Sequence, residues 1–171
     1  MADAGLVRKD YEGRNLVCFL ETAEVFETEL PLTFPQVEQI TDEILKAQLV
    51  RAIKNLNIDN VDLGIFQLGK IFENQLKAFL VEAQGTGKYG IASKDLARLV
   101  SMIDCVERNG IVREKHHLTL LREQRNERAH GEVPDIEDRK RLMQHAPFWV
   151  DLYIKYIGFF SEQRKSLQQG T

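Results

Sequence analysis

The chain has 171 residues, of which 43% are hydrophobic and 29% are charged, and its formal net charge is −3. This balance predicts one globular domain with a core and argues against disorder over most of the length. No run approaches the roughly 18 apolar residues of a membrane span, and the opening MADAGLVRKDYEGRN lacks the apolar stretch of a signal peptide. We therefore expect a cytoplasmic protein that has no membrane partner.

The first half of the chain predicts three amphipathic helices, identified by apolar residues at three- and four-residue spacing. The first is expected over Arg14–Leu30. The second follows a capping box of Thr33 and Gln36 and ends near residues 55–60. The third, which is longer, is expected over Val61–Ala83. The residues predicted to face inward from the second and third helices are Val37, Ile40, Ile44, Ile53, Ile65, Leu68, Phe72, Leu76 and Phe79.

Glycines within and after the third helix carry separate predictions. Gly64 and Gly69 each cost about 1 kcal/mol relative to alanine inside a helix, so they indicate a close helix crossing. Residues 84–90, QGTGKYG, are expected to form a loop. This loop does not predict a nucleotide site, because Glu82 stands where a phosphate-binding loop needs its first glycine.

The second half of the chain predicts further helices. A fourth begins after Ser93 as its N-cap and ends at Asn109–Gly110. A fifth spans Val112–Ala129, a short one runs over Asp135–Pro147, and an aromatic-rich last helix covers Phe148–Lys165. The aromatic residues of the last helix are expected to form core or a dimer face, because they recur at helical spacing.

No segment shows the alternation of a β-strand, so the predicted fold class is all-α. We expect an up-and-down bundle of five to six helices in a single domain over residues 1–171, with residues 1–13 as a flexible N-terminal segment. Cys18 and Cys105 lie in apolar helical contexts. They are predicted to be buried free thiols, because two cysteines make neither a disulfide framework nor a metal site.

Charge is distributed unevenly along the chain. Residues 1–43 contain three basic and ten acidic residues, a net charge of −7. Residues 108–145 contain nine basic and seven acidic residues, a net charge of +2, and all four histidines. Coating duplex DNA needs a broad basic surface, so this distribution argues against duplex DNA as a partner. It permits one local anion-binding patch in the third quarter of the chain.

The sequence LREQRNERAHG, residues 121–131, is a candidate for that patch. Arg125 lies on the apolar face of its helix, where a charged group must be paired or must face a cleft or a partner. Asn126 and His130 share a neighbouring stripe. Five residues turn an ideal helix about 500°, so Arg125 and His130 point about 140° apart. They converge on one phosphate if the helix loosens at His130 and Gly131, or if a second subunit contributes its own copy.

Simpler interpretations compete with a functional site. An arginine separated from a histidine by four to six intervening residues is expected by chance in this composition, and Arg139 and His145, with five residues between them, form such a decoy. His130 followed by Gly131 is also typical of a helix C-terminus, with an imidazolium at the negative end of the helix dipole and a left-handed glycine. The charges of REQRNER are then a solvated face.

LREQRNERAHG resembles the signature helix of HEPN domains (higher eukaryotes and prokaryotes nucleotide-binding). That family has an arginine, a polar residue directly after it, and a histidine a turn later, often preceded by a small residue. Arg125, Asn126, Ala129 and His130 match these elements in order. The helical pattern, including GKIFENQLKAFL in the third helix, also resembles that family's bundle. A toxin subgroup has tyrosine two residues after the histidine; Glu132 stands here, which argues against a nucleotidyltransferase antitoxin that acts at that tyrosine.

The resemblance implies metal-independent RNA cleavage, in which the ribose 2′-hydroxyl attacks the adjacent phosphorus. His130 can act as general acid or base near neutral pH, and the planar fork of Arg125 can stabilise the phosphate. Asn126 is expected to orient His130 or the substrate, and Arg122 and Arg128 are candidate substrate-binding residues. No metal or other cofactor is expected, because no carboxylate and histidine cluster has ligand spacing.

Two functions remain open. The first is an endoribonuclease that acts on RNA as a homodimer in a toxin or defence system, with an antitoxin or a larger defence assembly as a partner. The second is a non-catalytic HEPN-like module that binds a partner protein or a nucleotide. The acidic net charge favours the module, whereas the matched motif residues favour the ribonuclease.

Overall fold

The structure is a computed structural model that describes residues 34–57, 59–131 and 134–169. These residues belong to the compact unit Leu32–Thr171. They contain helices and no β-strand, which confirms the all-α class over the described part of the chain. The predictions for residues 1–13, for the helix Arg14–Leu30, for Cys18 and for the Thr33 cap lie outside the described residues, as does Glu132.

The described residues form a helical bundle around one long central helix. Its helices are α1 (Pro35–Glu38), α2 (Glu43–Lys54), α3 (Val61–Gly85), α4 (Leu99–Arg108), α5 (Lys115–His130) and α6 (Ile136–Gln169). Helix α3 packs along α6 and also contacts α2, α4 and α5. Within the described ranges, no helix is long and apolar enough to cross a membrane.

The core confirms the predicted inward face of the central helix. Its predicted residues Ile65, Leu68, Phe72, Leu76 and Phe79 are all buried. Aromatic rings of α6 pack against them: the ring centroids of Phe72 lie 6.1 Å from Tyr153 and 6.3 Å from Phe160. Each such buried side chain contributes about 1.5–3 kcal/mol, so this contact fixes α6 on α3.

The predicted second helix is wrong in its extent, because it is divided into α1 and α2. Asp42 is the N-cap of α2, and its Oδ1 accepts hydrogen bonds from the backbone N–H groups of Ile44 and Leu45, each at 3.0 Å. This cap sets a new helical register. Ile44, predicted to face inward, is therefore 74% exposed, and Leu45 and Leu49 are buried instead.

The two predicted last helices are one continuous helix, α6, and Pro147 lies inside it. A proline within a helix loses one backbone hydrogen bond and costs about 3 kcal/mol. Pro147 is exposed, while Met143, Ala146 and Val150 on both sides of it are buried. Burial of this continuous stripe outweighs the cost, and the helix does not end.

The start of α4 also differs from the prediction. Ser93 begins a 3₁₀ turn, Ser93–Leu96, and α4 begins only at Leu99 with Arg98 as its N-cap. The predicted end at Asn109–Gly110 is confirmed, and Gly110 has the left-handed φ of 64° that favours glycine. Cys105 on this helix is a buried free thiol, as predicted.

Two glycines of α3 mark close crossings, as predicted. A Cβ atom on Gly64 would lie 2.5 Å from a side-chain carbon of Leu56, which precedes α3. A Cβ atom on Gly69 would lie 2.6 Å from Cγ of Arg125 on α5. Real Cβ atoms do not approach neighbours this closely, so Gly69 allows the stem of Arg125 to lie against the α3 backbone.

Candidate functional site

The second half of α5 is polar for a helix inside a bundle. The buried residues of α5 as a whole are Leu118 and Leu121, and no residue in 122–130 is fully buried. Arginine stems take the place of apolar side chains there, and their side-chain exposures are 27% for Arg122, 18% for Arg125 and 13% for Arg128. Packing an arginine stem costs more side-chain conformational entropy than packing a leucine. Stability alone therefore does not favour arginines here, and we take this segment as the candidate functional site.

Two tyrosines of α6 hold α5 in place. The Tyr153 hydroxyl donates to the carbonyl oxygen of Leu121 at 2.8 Å. The Tyr156 hydroxyl lies 3.0 Å from Nδ1 of His117. Burial raises the pKa of the Tyr153 phenol, and burial together with Glu114 raises the pKa of Tyr156 to about 12. Both hydroxyls therefore keep their protons over the physiological range.

Arg125 faces inward, as predicted, and it is paired. Its Nη2 donates to Oε2 of Glu73 on α3 at 2.8 Å, and its Nη1 donates to Oδ1 of Asn126 at 3.1 Å. Nζ of Lys70 donates to the same Glu73 oxygen at 2.7 Å. The guanidinium carbon lies 6.0 Å from the ring centroid of Phe66. The guanidinium is thus held by contacts on two helices.

Glu73 keeps its charge in this position. Burial acts to raise its pKa, but the hydrogen bond from Lys70 and the charges of Arg125 and Lys70 outweigh burial and hold the pKa of Glu73 below its ordinary value. Two cations and one carboxylate therefore meet here, and the group carries a net positive charge at neutral pH.

Glu73→Gln is expected to destabilise the fold by about 1–2 kcal/mol at pH 7, the scale of a hydrogen bond to a charged group. The folded pKa of Glu73 is lowered, so its contribution is present above the ordinary value of 4.5 and is lost as pH falls through the folded value. Denaturant unfolding of wild type and variant at pH 7 and pH 3 measures the change. A difference that stays constant with pH contradicts this role for the carboxylate.

Asn126 and His130 are exposed, and they are not joined to each other. Among the described residues no hydrogen bond links them, and the amide oxygen of Asn126 accepts from Arg125 instead. Helix α5 is continuous through His130, with the N–H of Gly131 bonded to the carbonyl of Glu127 at 2.8 Å. The helix therefore does not loosen at His130, and Arg125 and His130 stay about 140° apart within one subunit.

The expected left-handed conformation of Gly131 is wrong. Its φ is −71° and its ψ is 163°, which is extended backbone that any residue adopts. A glycine fits here for another reason: a Cβ atom at this position would collide with the carbonyl oxygen of Glu127. The backbone that follows the helix passes so close to the Glu127 carbonyl that residue 131 has no room for a side chain.

The two candidate substrate-binding arginines are partly shielded and already paired. Arg122 pairs with Glu123 at 3.5 Å, and Arg128 pairs with its neighbour Glu127. The buried Nε atoms of both arginines have no hydrogen-bond partner within the described part of the chain. These buried donors are not accessible to a phosphate, and the neighbouring carboxylates further reduce the attraction of both arginines for one.

A cleft of about 760 Å³ separates the end of α5 from the start of α6. Arg128, Arg141, His145 and Trp149 line it, and neither Arg125 nor His130 does. Two residues turn a helix about 200°, so His130 points almost opposite to Arg128. The decoy histidine His145 thus lies in a cleft on a different side of α5 from the motif.

The sequence reasoning missed Glu73, the residue that holds Arg125. A signal for it exists, because Glu73 lies four residues after Gly69 and three before Leu76, which are both buried. This spacing places a carboxylate on the inward stripe of α3, where it requires a cationic partner. Lys70 on the same helix is one such partner, and the inward Arg125 is the other.

No group of three or more metal-ligating side chains occurs among residues 34–57, 59–131 and 134–169. Comparison with known proteins finds no matching family model, no matching curated protein and no matching solved structure.

Proposed function

We propose that this chain is an HEPN-like, metal-independent endoribonuclease that acts as a homodimer. One observation carries the proposal: α5 presents an exposed His130 one turn after Asn126, and the neighbouring guanidinium of Arg125 is held by Glu73 and Asn126. A fixed cation and an exposed imidazole are the two groups that RNA cleavage through the 2′-hydroxyl needs.

The proposed reaction is a transesterification. The bond from O2′ to phosphorus forms, the bond from phosphorus to O5′ breaks, and the products are a 2′,3′-cyclic phosphate and a 5′-hydroxyl. The 2′-hydroxyl loses a proton and O5′ gains one, and His130 takes part as general acid or base. Arg125 stabilises the negative charge that develops on the phosphate oxygens. Its guanidinium has five N–H donors, of which Glu73 and Asn126 each engage one.

The homodimer is part of the proposal because one subunit keeps Arg125 and His130 apart. The helix is regular between them, so the two side chains diverge by about 140°. A two-fold axis beside α5 brings His130 of one subunit towards Arg125 of the other. Within this proposal the enzyme works in the cytoplasm as a toxin or defence component, and an antitoxin or a larger assembly restrains it.

Wild-type protein is expected to cleave single-stranded RNA in excess EDTA and to leave 2′,3′-cyclic phosphate ends. DNA of the same sequence is expected to resist, because it lacks the 2′-hydroxyl. Gel analysis with end-group mass spectrometry checks the products, and light scattering checks that the active species is a dimer. Cleavage that requires a divalent metal, or equal cleavage of DNA, contradicts the proposed chemistry.

The second candidate is a non-catalytic HEPN-like module that binds a partner protein or a nucleotide. The Arg125–Glu73 ion pair favours it, because a partly buried arginine that is already bonded to a carboxylate also serves as a structural link between α5 and α3. A well-folded dimer that cleaves none of a varied set of RNAs supports this candidate over the enzyme.

A further inference from the structure

The stem and the head of Arg125 contact two residues that lie one turn apart on α3. Cβ and Cγ of Arg125 lie so close to Gly69 that a Cβ atom there would be 2.7 Å and 2.6 Å from them. Its guanidinium reaches Glu73, four residues further along the same helix, at 2.8 Å. Gly69 and Glu73 therefore form a seat for this side chain, and we use "seat" for these two residues.

The seat is well shielded and rigid. The side chains of Arg125 and Glu73 are 18% and 20% exposed, so water screens their attraction less than at the open surface. Phe72, between the two seat residues, is completely buried against α6. Lys70 binds the same carboxylate oxygen as Arg125 and limits the rotation of Glu73. A long arginine side chain, normally free to adopt many rotamers, is thus confined by the central helix.

We infer that Glu73 is a positioning residue, which together with Gly69 fixes the Arg125 guanidinium for contact with the scissile phosphate. This inference rests on the proposed ribonuclease function. Glu73 contacts neither the phosphate nor the reacting oxygens; it acts through Arg125. Pre-organisation of this kind matters because a cation that must first be ordered stabilises a transition state less effectively than one already in place.

The chain offers a matched control for this role. Glu82 lies on the same helix and binds Arg164 of α6 at 2.7 Å, with side-chain exposures of 28% and 26%. This pair is also a partly shielded arginine–glutamate ion pair, in which Arg164 donates to Oε1 of Glu82 from both Nε and Nη2. It lies nine residues, or about 14 Å, further along α3. Glu82→Gln therefore carries a structural cost of the same kind as Glu73→Gln without touching Arg125.

Steady-state RNA cleavage by Glu73→Gln and Glu82→Gln tests the inference. Glu73→Gln is expected to lower kcat about tenfold or more. Its KM should stay equal or fall, because removing a negative charge strengthens the attraction for phosphate. Glu82→Gln is expected to change both less than about twofold. If Glu73→Gln lowers KM and leaves kcat unchanged or higher, Glu73 competes with the phosphate for Arg125, and the positioning role is overturned.

A second measurement does not depend on catalysis. The Nε–H of Arg125 is buried, so its NMR signal should exchange slowly with water in the wild type and in Glu82→Gln. In Glu73→Gln this signal is expected to broaden or exchange rapidly. If Glu73→Gln loses the signal but the wild-type protein cleaves no RNA, the role of Glu73 in holding Arg125 is supported and only the proposed function is overturned. A signal that persists in Glu73→Gln overturns the seat, whatever the activity.

Discussion

His130→Ala is expected to reduce RNA cleavage about 100-fold or more, the usual scale for loss of a general acid or base. The side chain is exposed at the end of α5, so its removal should leave the fold unchanged. Initial rates on a single-stranded RNA in EDTA, with circular dichroism of each variant, measure the effect.

His145→Ala is the matched control, because His145 also follows an arginine at similar spacing, is also exposed, and lies in the cleft on another side of α5. Its cleavage rate should stay within about twofold of the wild type. If His145→Ala loses activity and His130→Ala keeps it, the catalytic histidine has been assigned to the wrong side of the helix, and the cleft is the active site.

Arg125→Lys is expected to lower cleavage about 100-fold, although it keeps the positive charge. A lysine ammonium cannot donate from a planar fork to two phosphate oxygens, nor can it bridge Glu73 and Asn126 as the guanidinium does. The same change should destabilise the fold by about 1–2 kcal/mol, because one charged hydrogen bond is weakened. Cleavage rates and denaturant unfolding measure the two effects.

Arg164→Lys separates the loss of stability from the loss of function. Arg164 links α6 to Glu82 on α3 in the way that Arg125 links α5 to Glu73. Its replacement should cost a similar free energy of unfolding and leave cleavage unchanged. Equal losses of cleavage in both variants show that Arg125 acts only through stability, and they favour the non-catalytic module.

The parts of the fold that local periodicity determines could be predicted from the sequence. The five residues predicted to face inward from α3 are all buried, because buried residues of a regular helix recur at three- and four-residue steps. The continuation of α6 through Pro147 could not be predicted, since it depends on packing against α3 that no local pattern contains. The inward face of α2 was also not predicted correctly, because the N-cap at Asp42 sets the helical register of α2.

In the candidate site, the directions of the side chains on α5 could be predicted from the sequence, and their contacts with other helices could not. The inward direction of Arg125 and its divergence from His130 follow from helical geometry alone. The partner of Arg125 does not follow from helical geometry, because Glu73 lies 52 positions earlier in the chain. Helical spacing does not determine which inward charges on two helices contact each other. The position of His145 in a separate cleft likewise depends on how α5 and α6 pack.

Subunit complementation tests the central claim most directly, namely that Arg125 of one subunit works with His130 of its partner. Arg125→Lys and His130→Ala proteins, each nearly inactive alone, are mixed under conditions that exchange subunits, and native mass spectrometry confirms the mixed dimers. A mixed dimer contains one site with both functional residues, so random exchange should restore about a quarter of wild-type activity. Mixed dimers that remain as inactive as their parents contradict the claim.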